Sequence, residues 1–352
     1  MRMIQLLLQL CLLFALPACK KSASSTNTTV TPTPTPTPTD TTTPAFFAKG
    51  ADVSWVTQME SGGIQFYNST GTQTECMQLM KDLGMNSIRL RVWVNPSNNW
   101  CNTADVLTKA LRAKSLGMKI LLDFHYSDSW ADPGQQNKPA AWASQDFATL
   151  KTSVSQHTTS VMTTLKTNGI TPEWVQVGNE TNDGMLWPDG KASTNMSNFT
   201  ALINAGYDAV KAVSPTSKVV VHISNGYDNS LFRWIFDGLK NNGGKWDVIG
   251  MSLYPTATNW SSINSQCKSN MVDMIARYNK EIMICEVGMS WDQGAACKAF
   301  IADIITKTKA LSNNKGLGVF YWEPEAYNSW QGYTLGAFDN TGRPTEALDA
   351  FH

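Results

Sequence analysis

The chain has 352 residues, of which 28 are basic and 28 acidic, with no basic cluster in its globular part. That balance gives nucleic acid and anionic lipid nothing to bind, and leaves a neutral polymer as an allowed partner. The length is ample for one large core once the N-terminal part is set aside. Met1 to Leu16 is an apolar run with the single cation Arg2, and it ends Leu16-Pro-Ala-Cys19. This reads as a signal h-region with a lipobox-like end, too short for a membrane span. Residues 1–18 are expected to be a lipoprotein-type signal peptide. Cys19 would then be a lipidated N-terminus on a bacterial cell envelope, at the outer membrane or cell surface, with simple secretion as the alternative. Residues 19–44 contain Thr31-Pro-Thr-Pro-Thr-Pro-Thr-Pro and almost no apolar side chains. Nothing there offsets the entropy of ordering, so a disordered, semi-extended linker is expected. From Ala45 to His352 the composition is globular without a second linker, which predicts one domain over 45–352, working as a monomer.

Within that domain, apolar runs near 46–54, 86–94, 118–125, 173–179, 218–223, 246–253, 281–286 and 316–322 read as strands. Helix-period segments lie between them, at Thr74 to Leu83, Ala104 to Leu116, Phe147 to Thr167, Asn198 to Val213, Leu231 to Leu239, Ile263 to Tyr278 and Ala296 to Leu311. Gly84, Gly117 and Gly169 each fall between a helix and the next strand, where a left-handed residue lets the chain reverse. Strict alternation through eight units predicts an α/β protein with a single (β/α)₈ TIM barrel, not an open doubly wound sheet. No Gly-x-Gly-x-x-Gly follows the first strand, so a dinucleotide site is not indicated.

In such a barrel every strand C-terminus opens on one face, and the residues found there form a set. Strand two carries Arg89, Arg91 and Trp93 on one side by the period of two. A guanidinium facing the mouth needs a carboxylate, and beside a nucleophile it keeps that group ionised; the bland alternative is a structural ion pair. Strand three runs into Asp123, His125, Asp128, Trp130 and Asp132, a mix of polar and aromatic side chains suited to binding a saccharide. Strand four closes with Asn179 and Glu180, and strand seven with Glu286. Two convergent carboxylates are the minimal apparatus for hydrolysing a glycosidic bond, and an amide beside one can donate to the sugar 2-hydroxyl. Strand six ends at Tyr254, whose phenol can donate to Glu286. Strand eight presents Trp322 as a sugar platform, with Glu323 behind it in a supporting role. His222, at the end of strand five, is assigned with His125 to sugar contact.

The 13 tryptophans exceed what the core needs, and several follow strands, as ring platforms would. Asp123, His125 and His222 would be the ligands of a metal-dependent hydrolase, but four histidines without a His-x-x-x-His or Cys-x-x-Cys spacing make a weak metal signal. No metal or cofactor is expected. Of the seven cysteines, Cys11 and Cys19 belong to the leader. For Cys76, Cys101, Cys267 and Cys297 two bridges between adjacent helices are expected, with the pairing open, and Cys285 is a buried thiol in its strand.

Five motifs then carry a family likeness over about Lys49 to Pro324: Gly50-Ala-Asp52-Val-Ser, Asn86-Ser-Ile-Arg-Leu-Arg-Val-Trp-Val-Asn-Pro96, Leu122-Asp-Phe-His-Tyr-Ser-Asp-Ser-Trp-Ala-Asp-Pro133, Val177-Gly-Asn-Glu180 with Leu186-Trp-Pro188, and Tyr321-Trp-Glu-Pro324. In this order they resemble the endo-β-1,4-galactanases of glycoside hydrolase family 53. The resemblance implies a retaining (β/α)₈ hydrolase that cuts β-1,4-galactan, the side chain of type I arabinogalactan and pectin. By motif position Glu180 matches the acid/base and Glu286 the nucleophile, while Asp52 and Trp187 join the substrate contacts. Some bacterial members hold calcium in an Asp-rich loop. Here Glu286 is followed by a short Val-Gly-Met-Ser-Trp291-Asp-Gln-Gly segment without such a cluster, so calcium is not carried over. The alternatives are another retaining barrel glycosidase, such as a β-mannanase or endoglucanase, and a surface glycan-binding protein on the same scaffold. The last would keep the tryptophans and lose a carboxylate.

Overall fold

A computed structural model describes residues 45–352. The expected signal peptide, Cys19 anchor and linker lie outside the described residues. Eight parallel strands close into a barrel in sequence order: β1 (Ala48–Asp52), β2 (Ser87–Val92), β3 (Lys119–Phe124), β4 (Trp174–Val177), β5 (Lys218–Ile223), β6 (Val248–Leu253), β7 (Glu281–Val287) and β8 (Gly316–Trp322). The helices are α1 (Val56–Ser61), α2 (Cys76–Asp82), α3 (Thr103–Ser115), α4 (Phe147–Thr167), α5 (Ala192–Val213), α6 (Asn229–Asn241), α7 (Trp260–Tyr278) and α8 (Gly294–Lys309). The (β/α)₈ expectation is met. Short α1 has no counterpart in the sequence reading, and α5 begins six residues earlier than read, through a kink at Asn195. Beyond β8 a 3₁₀ turn, Glu346–Phe351, stands where a regular barrel has its last helix. Among the described residues no helix is long and apolar enough to cross a membrane.

Alternation along the strands divides the apolar residues. Leu121, Trp174, Val220, Val248, Met283, Cys285 and Phe320 fill the barrel interior, whereas Ile88, Leu90, Leu122, Val175, Val221 and Ile284 face the helices. Gly50 is required by this filling, because a Cβ there would lie 2.3 Å from the Phe320 ring. Gly84, Gly117 and Gly169 adopt φ of +87°, +70° and +70° at the expected reversals.

The expected disulfides are absent: Cys76, Cys101, Cys267, Cys285 and Cys297 are all free and buried. Neighbouring helices were the basis for pairing, but the thiols face elsewhere. Cys101 Sγ is 3.5 Å from the Arg91 guanidinium and 3.8 Å from Lys109 Nζ. Cys267 Sγ lies 3.9 Å from Met251 Sδ, and Cys297 Sγ 3.6 Å from the Tyr321 hydroxyl, so both point at strands instead of at each other.

Candidate active site

The mouth is organised around Arg89. Alternation turns Arg89 and Arg91 of β2 inward, and both are wholly buried. Arg89 Nη1 donates to Asp52 Oδ2 at 2.8 Å and forms an ion pair with Glu286 Oε1 at 2.9 Å. Its Nη2 donates to Asp123 Oδ2 at 2.8 Å, Asn179 Oδ1 at 3.0 Å and Gln176 Oε1 at 3.1 Å. One planar fork thus ties together the ends of β1, β3, β4 and β7, which a point-charge ammonium could not do.

The two glutamates reach this centre by different local devices. After β4 the chain turns through Gly178 (φ +81°), where a Cβ would lie 2.6 Å from Thr181 Cγ2, and Glu180 itself sits at φ +43°. A left-handed glutamate is strained, and the strain lifts its carboxyl over the mouth. On β7, alternation puts Cys285 inside, so Glu286 should face out. A register slip against β6 prevents this: Met251 pairs with Ile284 and Ser252 with Glu286, leaving Cys285 as an extra residue. The bulge re-aims Glu286 toward Arg89.

Both carboxyls line one cavity of about 270 Å³, together with Tyr254, Asn179, Trp130 and Trp322. Tyr254 Oη donates to Glu286 Oε2 at 2.7 Å. Burial and the neighbouring Glu286 charge push the Glu180 carboxyl up to about 8, against a smaller opposing effect from Ser252 and Arg89. Glu286 is also raised by burial, but Arg89 and the Tyr254 hydroxyl pull it back. One group therefore retains a proton while the other has a guanidinium charge and a hydroxyl donor beside it to hold its anion. Trp55, Trp93, Trp130, Trp322 and Tyr333 wall an adjoining compartment of about 380 Å³, so the cleft continues past the carboxyls along an aromatic surface.

The other expected contacts fall at different depths. Trp93, Trp130, Asp132 and Trp322 line the cleft. Asn179 spends its carbonyl on Arg89 and Gln176, and one Nδ2 hydrogen on Ala131 O. Asp52, read as a substrate contact, is wholly buried and occupied by Arg89 and the Ser54 amide. His222 is likewise beneath the cleft: its Nδ1 lies 3.0 Å from Asn179 Oδ1 and its Nε2 2.7 Å from Ser252 Oγ. His125 borders the cavity, yet Nε2 pairs with Asp123 while Nδ1 accepts from Trp93 Nε1 and the Ala131 amide, so it offers a sugar no free nitrogen. Asp128 ties two loops by accepting from the Asn95 and Ala140 amides. Trp187 is outside both compartments, with its Nε1 donating to Asp183 O. Arg91 pairs at 3.1 Å with Glu323, not with a carboxyl of the cavity.

Asp123 gives its Oδ2 to both Arg89 and His125, and among the described residues no group of three or more His, Cys, Asp or Glu is arranged to hold a metal ion. Gln176 and Ser252 escaped the sequence reading although both are polar residues inside apolar strands, a usable signal. Trp55 and Tyr333 come from loops, where periodicity says nothing.

Comparison with known proteins decides the family. The model of glycosyl hydrolase family 53 matches residues 48–351. The chain belongs to this family. It is 34% identical over 308 residues to a probable arabinogalactan endo-β-1,4-galactanase A of Aspergillus terreus, covering 80% of this chain and 86% of that one. It is 30% identical over 328 residues to the arabinogalactan endo-β-1,4-galactanase of Thermothelomyces thermophilus, covering 86% and 98% respectively. Among solved structures, a fungal β-1,4-galactanase superposes with a TM-score of 0.80 at 29% identity over 87% of this chain and 99% of that one. The family 53 catalytic domain of Ignisphaera aggregans gives 0.79 at 29% identity, over 88% and 96%.

Proposed function

We propose that this family 53 protein is a retaining endo-β-1,4-galactanase that works by double displacement, with Glu180 as acid/base and Glu286 as nucleophile. The observation that carries the reading is the pair of carboxyls in one cavity, one pushed up to about 8 and the other held by Arg89 and Tyr254. Glu286 attacks the anomeric carbon while Glu180 gives its proton to the departing glycosidic oxygen. Glu180, now a carboxylate, then takes a proton from the water that cleaves the glycosyl-enzyme ester, and the proton inventory is restored. Arg89 keeps the nucleophile anionic without taking or giving a proton. The wall of indoles suits the apolar faces of galactose rings, and a neutral surface suits an uncharged polymer. The lipobox-like Leu16-Pro-Ala-Cys19 supports a lipid anchor on the bacterial envelope, with the enzyme a monomer on its linker.

The test is to incubate the protein with β-1,4-galactan, mannan and carboxymethyl cellulose and follow oligosaccharide release. Galacto-oligosaccharides whose first-formed reducing end is β by proton NMR support the reading. Preference for mannan or cellulose, or an α-configured first product, would sink it.

A further inference from the structure

Behind the cleft, β8 delivers Trp322 to the cavity wall, and the next residue turns away at φ +47°. This sends the Glu323 side chain under the loop that follows β1, where it is wholly buried. Its Oε2 accepts the Trp55 amide at 3.1 Å and its Oε1 accepts from Arg91 Nη1 at 3.1 Å. The Arg91 guanidinium carbon in turn stands 4.3 Å from the centre of the Trp130 ring, 5.0 Å from Trp93 and 5.7 Å from Trp55. A single carboxylate therefore fixes Trp55 by its backbone and, through one guanidinium, gathers three indoles. Those three indoles wall the second compartment, and Trp130 continues into the cavity that holds Glu180 and Glu286. Glu323 borders neither space.

We propose that Glu323 is a positioning residue for polymer length. Through Arg91 and the Trp55 amide it sets the indole wall that holds sugars beyond the cleaved linkage in register with the carboxyls. The inference rests on the polysaccharide-hydrolase reading above. A merely structural ion pair would affect every ligand alike, whereas a wall-setting residue affects only ligands long enough to reach the wall.

The experiment measures binding of β-1,4-galactobiose and β-1,4-galactotetraose by calorimetry to full-length Glu286→Ala protein, with and without Glu323→Gln. It adds kcat and KM on galactan for Glu323→Gln in the otherwise unaltered enzyme. Glutamine still accepts the Trp55 amide but gives Arg91 no counter-charge. The expected result is tetraose binding weakened about tenfold with biose binding changed less than about twofold, and a matching rise in KM on galactan. Equal weakening of both oligosaccharides, no weakening of either, or a loss confined to kcat would overturn the proposal. If Glu323→Gln does not fold, Glu323→Asp keeps the charge while shortening its reach, and the same length dependence decides. Wild-type protein inactive on galactan would instead count against the proposed function, so the two failures are distinguishable.

Discussion

Arg89 Nη1 meets Glu286 Oε1 at 2.9 Å inside a centre where the guanidinium is completely buried. The same guanidinium serves Asp52 and Asp123, so three carboxylates share one cation. In so dry a place the cation decides which carboxyl ionises, and it touches Glu286 but makes no contact with Glu180 within salt-bridge distance.

Arg89→Lys should therefore be far from conservative. An ammonium cannot reach all three partners, and an unpaired buried carboxylate costs several kcal/mol or takes a proton. Activity should drop about a hundredfold or more. The acid limb of the kcat/KM profile should move to higher pH as Glu286 becomes harder to ionise. An unmoved acid limb in a folded variant would show that Arg89 does not control the nucleophile.

In the proposed mechanism the working form has Glu180 protonated and Glu286 ionised, which sets the sign of both limbs. Activity falls as pH rises through the Glu180 value of about 8, and falls at low pH as Glu286, raised by burial above the ordinary carboxylate range, takes up a proton. Glu180→Gln should erase the alkaline limb on an aryl galactoside with a good leaving group while nearly abolishing galactan cleavage. The check is a kcat/KM profile on both substrates, and persistence of the alkaline limb would assign it to another group.

Glu286→Ala should lose turnover while oligosaccharide binding is nearly intact. Azide or formate entering the vacated space should restore cleavage with inverted stereochemistry. Near-normal activity in this variant would remove Glu286 as the nucleophile.

The parts of this site that were legible from sequence share a physical origin. Buried parallel strands are continuous apolar runs, as in Val219-Val-Val221, and a polar residue closing such a run announces the barrel mouth. Glu180 and Glu286 were readable on those grounds. Depth was not, because position at a strand end does not tell whether a side chain meets solvent or a buried arginine; hence Asp52 and His222 were read as sugar contacts. The bulge at Cys285 depends on register with β6, a long-range property that alternation within β7 cannot reveal. The free thiols teach the same lesson, since helix adjacency carries no information about the direction of a Cβ.

Asp128 changes its expected role for a related reason. Its two oxygens accept the Asn95 amide at 2.9 Å and the Ala140 amide at 2.8 Å, joining the loops after β2 and β3. Asp128→Ala should cost about 0.5–1.5 kcal/mol per lost hydrogen bond, because both amides belong to exposed residues and water can take the place of the carboxylate. It should raise hydrogen exchange in both loops and lower activity on all polymers in proportion. A selective loss of galactan over mannan would restore a direct role in specificity.

Glu325 offers a test on stability instead of turnover. It is wholly buried, neither carboxyl oxygen receives a hydrogen bond from an N–H or hydroxyl group, and Glu323 is its neighbour. Burial first, and the Glu323 charge second, raise its carboxyl well above the ordinary 4.5, so the folded protein holds it as a neutral acid. In the unfolded chain it ionises normally. Between those two values the folded state binds the extra proton, so the stabilisation is fully present below about 4.5 and is lost as pH rises toward the folded value. Glutamine has nearly the same shape, cannot ionise on unfolding, and can donate to Glu323 where the acid shared its proton. Glu325→Gln should accordingly melt close to wild type at pH 4 and progressively above it at pH 6 and pH 8, read by calorimetric or circular-dichroism melts at each pH. A difference in melting temperature that stays constant across that range would mean that Glu325 is already ionised in the folded protein and that an additional donor reaches it.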